Sequence, residues 1–155
     1  MRLFTFNNID KSHARGAEFN WEQRFKYLPG FLSGLGASAN YTFVDSAIEI
    51  RPGENSTLPS ALKNTWNVVA FYEKYGLGLR VAAYSTSADL FSIGLQKSSD
   101  VYNAARTSMD FGSTYALNEH WVAYLNVKNL RDTPHKFYQG TYERVIQRES
   151  PRRSA

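Results

Sequence analysis

The sequence predicts an all-β chain: an antiparallel up-and-down meander of about six long strands, an open segment of a transmembrane β-barrel wall. Three observations predict it. Apolar and polar residues alternate with a period of two in one segment after another, while helical periodicity is scarce. The segments run about ten residues; strands of soluble proteins usually have ~5–6, and a tilted strand needs ~9–11 to cross a bilayer. The connections alternate between short and long, as in membrane barrels with tight turns at one rim and extended loops at the other.

Composition points the same way. Ten Tyr, ten Phe and three Trp make 15% of the 155 residues aromatic, yet the mean hydropathy is negative. Rings without overall hydrophobicity imply apolar positions interleaved with polar ones rather than gathered in runs. No stretch approaches the ~18 apolar residues of a membrane-spanning helix, and Met1 to Asn8 holds no apolar run suited to a secretory signal. The absence of cysteine excludes a disulfide scaffold or thiolate metal site. A net charge of +4, with Arg148, Arg152 and Arg153 crowded at one end, is no footprint of a nucleic-acid partner.

The first strand is expected over 17–25, with Ala17, Phe19, Trp21 and Phe25 opposite Glu18, Asn20, Glu22 and Arg24. The second, 34–44, sets Leu35, Ala37, Ala39, Tyr41 and Phe43 against Gly36, Ser38, Asn40 and Thr42. The third, 65–74, offers Trp66, Val68, Ala70 and Tyr72, against a mixed face of Asn67, Val69, Phe71 and Glu73. The fourth, 77–86, puts Leu77, Leu79, Val81 and Ala83 opposite Gly78, Arg80 and Ala82. The fifth, 107–117, places Met109, Phe111 and Tyr115 against Asp110, Gly112 and Thr114. The sixth carries Trp121, Ala123, Leu125 and Val127 on one side and Tyr124, Asn126 and Lys128 on the other.

Between strands one and two lies a Pro29-Gly30 turn, between three and four only Tyr75-Gly76, and between five and six Asn118-Glu119-His120. Residues 45–64, 87–106 and 129 onward form the long connections. Rings gather near segment ends (Phe25, Tyr27, Tyr41, Phe43, Tyr72, Tyr75, Tyr115, Trp121), where aromatic girdles would lie. At the end of strand six, Asn129 or Asp132 can cap the emerging backbone and Pro134 halts ladder pairing. A soluble β-sandwich also alternates, but its exposed face is usually charged, whereas Gly36, Ser38, Asn40, Thr42, Gly112 and Thr114 are small and neutral.

Residue chemistry offers little for catalysis. His13, His120 and His135 fall on different connections without ligand spacing, so no metal site is expected. No nucleophile elbow, P-loop or cofactor fingerprint occurs, and neither an enzyme nor a cofactor is implied. Glu18 and Glu22 share a face of strand one; inward charges are expected where a barrel wall meets whatever fills the lumen. Arg80 and Asp110 should point inward from neighbouring strands, to pair with each other or with lumen residues.

Four stretches, "ARGAEFNWEQRF" (14–25), "LPGFLSGLGASANYTFVDS" (28–46), "LPSALKNTWNVVAFYEKYGLGLRVAAY" (58–84) and "SMDFGSTYALNEHWVAYLNVKNLRDTPH" (108–135), together resemble the C-terminal part of a TonB-dependent outer-membrane receptor barrel. The similar motifs are Arg15-Gly16-Glu18, Ala39 to Phe43, Leu58-Pro59 with Asn67 and Tyr72 to Lys74, Asp110 with Tyr115 and Leu117, and Asn129-Leu130-Asp132. The resemblance implies a 22-stranded barrel with a plugged lumen, in the outer membrane of a Gram-negative bacterium. It implies energy-coupled uptake of a scarce ligand such as a ferric siderophore. The implied partners are outer-membrane lipid, the plug and remaining strands, and the TonB complex through an N-terminal part not found here. It places ligand contacts on outer loops, where the candidates are Glu49, Arg51, Glu54, Asp89, Phe91, Lys97, Tyr102, Arg131, His135 and Tyr138. Glu18, Glu22, Arg80 and Asp110 would then face the lumen and plug. Two departures stand out: nothing resembles the plug or TonB box, and no aromatic-ended final strand follows. Residues 1–149 are thus expected to be the receptor portion, and 150–155 a non-native-looking tail from frameshift or truncation. The competing reading is a small independent outer-membrane barrel or a periplasmic β-sandwich with a binding or structural role.

Overall fold

The computed structural model describes residues 12–149, and among them the six expected strands all form and pair antiparallel in chain order. The wall consists of β1 (Ser12–Arg24), β2 (Leu35–Arg51), β4 (Asn64–Lys74), β5 (Leu77–Thr86), β8 (Arg106–Ala116) and β9 (Val122–Val127), with β3 (Glu54–Ser56) added on the end of β2. A second sheet, in the order β11-β10-β7-β6, is built from β6 (Asp89–Ser92), β7 (Val101–Asn103), β10 (His135–Gln139) and β11 (Val145–Glu149). The wall is open, with β1 and β9 at its edges. The expected tail, residues 150–155, lies outside the described residues.

Register carries the alternation intact across the wall. Trp21 sits opposite Ala39, Ala39 opposite Val68, Val68 opposite Ala83, and Ala83 opposite Met109. Along another row, Ala37, Ala70, Val81, Phe111 and Val127 follow one another. Because side chains alternate with period two, these rows share one apolar face, and the mixed third strand falls into phase with its neighbours. The opposite face reads Asn20, Asn40, Asn67, Tyr84 and Ser108 in one row, and Arg24, Gly36, Phe71, Arg80, Gly112 and Asn126 in another. A water-soluble sandwich would seal its apolar face inside. Here Val68 and Val81 are exposed and Trp66 and Phe111 only half-buried, so the face awaits a different solvent.

The three short turns follow from their residues. Tyr75 (φ 55°) and Gly76 (φ 74°) join Lys74 to its partner Leu77. Positive φ at both central residues is the signature of a two-residue type I′ hairpin, whose twist matches that of the strands it joins. At 117–121, the Asn118 side chain accepts the N–H groups of His120 (2.9 Å) and Trp121 (3.0 Å), an Asx turn. The Pro29-Gly30 connection winds into a 3-10 turn over Gly30–Gly34, held to β4 by the Lys74 ammonium on the Gly30 carbonyl and the Ser33 hydroxyl, both at 2.6 Å. Tyr27, Tyr75 and Trp121 are exposed at this end, as a girdle requires.

The long connections differ from the expectation of irregular loops. β2 runs seven residues beyond 44, because β1 keeps pairing with it as far as Ser12 opposite Ile48. It then folds back through Gly53 (φ 76°) into β3. Asn129 (φ 52°) does cap the end of β9: its side chain accepts the Thr133 N–H (3.0 Å) and donates to the Thr133 carbonyl (3.2 Å). Pro134 does not end strand pairing. The wall ladder already ends at Val127 opposite Phe111, and β10 begins at His135, directly after the proline, in the second sheet. Among the described residues the largest fully buried side chains, Leu90 and Asp100, both lie in this outer region.

Candidate functional site

Two regions gather chemistry-bearing side chains. The first is the polar face of the wall, where a shallow basin is lined by Glu22, Arg24, Asn67, Phe71, Glu73 and Arg80. Gly36 makes room for the Phe71 ring, whose outer edge occupies the place a Cβ would take. Arg24 sits 5.4 Å above that ring and reaches across β2 to Glu73 at 3.0 Å. Nearer the outer end, Glu18 accepts from Asn20 (3.1 Å) and Asn40 (3.0 Å), and Asn40 also donates to Asn20. Arg80 and Asp110 share this face but do not pair. Asp110 accepts the Asn129 N–H at 2.8 Å, which fixes the strand exit, and Arg80 faces the basin.

The second region is the outer block, where β2, β3 and the second sheet meet. Arg51 is its hub. It binds Asp100 through both terminal nitrogens, Glu54 at 2.9 Å and the Gly94 carbonyl at 2.9 Å. Hydrogen bonding to Asp100, and then to Glu54, raises the Arg51 pKa above that of an ordinary guanidinium. Burial alone would push Asp100 up, since its side chain is 1% exposed. The Arg51 and Gly94 N–H bonds and the nearby positive charges outweigh that, leaving its pKa below the usual carboxylate range. Aromatic pairs surround this hub: Tyr102 stacks on Tyr138 (5.2 Å, 12° between planes), Phe91 meets Phe137 edge-on (5.2 Å), and Tyr142 meets Tyr138 at 5.3 Å. Burial raises the pKa of both Tyr102 and Tyr138.

Most of the loop residues singled out from sequence converge here, in unequal roles. Arg51, Glu54 and Asp89 are engaged internally, Asp89 by accepting from Asn103 at 3.1 Å. Glu49 accepts the Gly53 N–H (2.7 Å) and shapes the β2–β3 turn. Tyr102, Tyr138 and His135, whose ring lies 4.7 Å from that of Phe137, belong to the aromatic cluster. Phe91 and Lys97 are exposed. Arg131 is exposed in the turn after β9, and among the described residues no bond ties it to the block. Sequence reading missed Asp100, Phe137 and Tyr142. The only signal for them was composition, a carboxylate and two rings in a polar stretch. Among the described residues no group of His, Asp and Glu could hold a metal ion, and no helix is long and apolar enough to cross a membrane.

A family model described as "TonB dependent receptor-like, beta-barrel" matches residues 2–130. No curated protein and no solved structure matches this chain.

Proposed function

The chain belongs to the TonB-dependent receptor β-barrel family, and from that premise we propose that it is the late-strand wall and outer-loop portion of a receptor for energy-coupled uptake of a scarce ligand such as a ferric siderophore. The family is one of outer-membrane transporters of Gram-negative bacteria. The observation that carries the reading is the unbroken phase of one apolar and one polar face through six strands, over a span that lies wholly within the family match. In this reading the apolar face meets lipid, and the polar face, with Glu18, Glu22, Arg80 and Asp110, meets the lumen and the plug. The outer block offers Phe91, Lys97, His135 and the tyrosine stack to the ligand, and the turn after β9 offers Arg131, with Glu49, Arg51, Glu54 and Asp89 holding the block in place. Exposed cations and aromatic rings at the same end of the wall suit an anionic metal chelate. The remaining strands, the plug and the TonB complex are its partners, and its work is transport rather than catalysis.

Single spin labels on the receptor that contains this segment, in lipid vesicles, test the topology. Labels at Val68 and Ala70 are expected to be relaxed by a lipid-soluble agent, and labels at Asn67 and Thr114 by a water-soluble one. Equal water access at all four positions would remove the membrane reading. Loss of growth on a ferric siderophore as sole iron source, after deletion of the receptor gene, tests the ligand class separately.

A further inference from the structure

We propose that the three outer connections of this chain are one pre-assembled body pinned by Asp100, and that they open and close together rather than as independent loops. Asp100 is where all three meet. One carboxylate oxygen takes Arg51 Nη2, from the end of β2, together with the Gly94 N–H at 2.8 Å, from the β6–β7 connection; the other takes Arg51 Nη1 at 3.2 Å. Its backbone carbonyl takes the Gly140 N–H at 2.9 Å, from the β10–β11 connection. Gln139 adds a bond to the Ser99 carbonyl (3.3 Å), and the Leu90 carbonyl takes the Ser60 N–H (2.8 Å).

Two glycines allow this convergence. A Cβ on Gly94 would lie 2.6 Å from Ser99 Cβ, and one on Gly140 (φ +68°) 2.8 Å from the Ser98 carbonyl oxygen. The backbone therefore approaches the pin from two sides at distances no larger residue permits. The ion pair is sheltered, with Arg51 16% and Asp100 1% exposed at the side chain. Removing Arg51 leaves the Asp100 charge uncompensated away from water, whereas Arg51 keeps Glu54 when Asp100 is removed. Such a node has two states, assembled or open, and few between.

The inference rests on contacts within the block and takes only its extracellular location from the preceding section. Hydrogen exchange on the intact receptor in detergent tests it. In the unsubstituted protein, the Ser60, Gly94 and Gly140 amides, one on each connection and each bonded into the block, should share a single opening equilibrium, with protection factors agreeing within about threefold. In the Asp100→Asn and Arg51→Lys variants all three should exchange at least tenfold faster, while β4–β5 ladder amides stay unchanged. Three unrelated protection factors, or acceleration confined to 94–100 in either variant, would overturn the proposal. If Asp100→Asn does not fold, the unsubstituted measurement and Arg51→Lys still decide. A membrane-impermeant maleimide on Leu95→Cys, at a side chain fully open to solvent, reports location separately. Labelling of whole cells supports the extracellular reading, and its absence beside cooperative exchange removes that reading and leaves the block standing.

Discussion

At the scale of single residues, several side chains named for ligand contact are found bonded within the outer block. Arg51 was legible as a charged loop residue, but its role was not, because its partner lies 49 positions away and nothing local in the sequence marks Asp100. Asn129 was legible, since an asparagine at a strand exit has one short-range use, and its side chain makes both bonds to Thr133. The titrating groups of the block give a pH expectation. The folded-state pKa of Asp100 lies below its ordinary value of ~3.9. Its contribution to stability is complete above that value and is lost as pH falls through the lower folded-state one. Tyr102 and Tyr138 are raised above the ordinary ~10. Their contribution is complete below that value and is lost as pH climbs through the raised ones. The block should therefore keep its near-ultraviolet circular dichroism from about pH 5 to 9 and lose it at both extremes. Tyrosinate absorbance checks the alkaline limb. All ten tyrosines titrating at the ordinary midpoint would disprove the burial of these two.

At the scale of elements, the number, order and phase of the wall strands were legible, the outer extensions of β1 and β2 were not, and the second sheet not at all. The reason is length. Residues 77–86 alternate through ten positions and coincide with β5, whereas β7 has three residues and β6 four. A period of two has no statistical weight over three residues, and β6, β7 and β10 gain their order from one another across long stretches of chain. The wall strands make a sharper prediction of their own, because neighbouring positions face different solvents. Val81 lies mid-strand on the apolar face, opposite Phe111 and Ala70; Thr114 lies on the polar face, opposite Gly78. Val81→Arg should cost ~2–4 kcal/mol, as for a charge on the lipid side near the midplane. Thr114→Arg should cost close to nothing. Urea titration of the receptor in vesicles measures both, and equal costs would mean that the faces are wrongly assigned.

At the scale of the molecule, the wall does not close. Along β1 and β9 half the backbone N–H and C=O groups lack strand partners among the described residues, and each group taken unpaired into hydrocarbon costs ~2–7 kcal/mol. A handful of them already matches a typical domain stability of ~5–15 kcal/mol. Expressed by itself, the chain should aggregate or be degraded and transport nothing. A protease-resistant, heat-modifiable monomer in outer membranes would contradict this.

The Tyr75-Gly76 hairpin has a kinetic corollary. Its ends are held together from the outset, so β4 and β5 can zip with almost no closure entropy to overcome, and β8 and β9 follow across the somewhat longer corner at 117–121. The junction of Arg51, Asp100 and Gly140 must instead wait until distant stretches of chain have been reeled in. Slow maturation at the mouth after rapid assembly of the staves is the expected order of events.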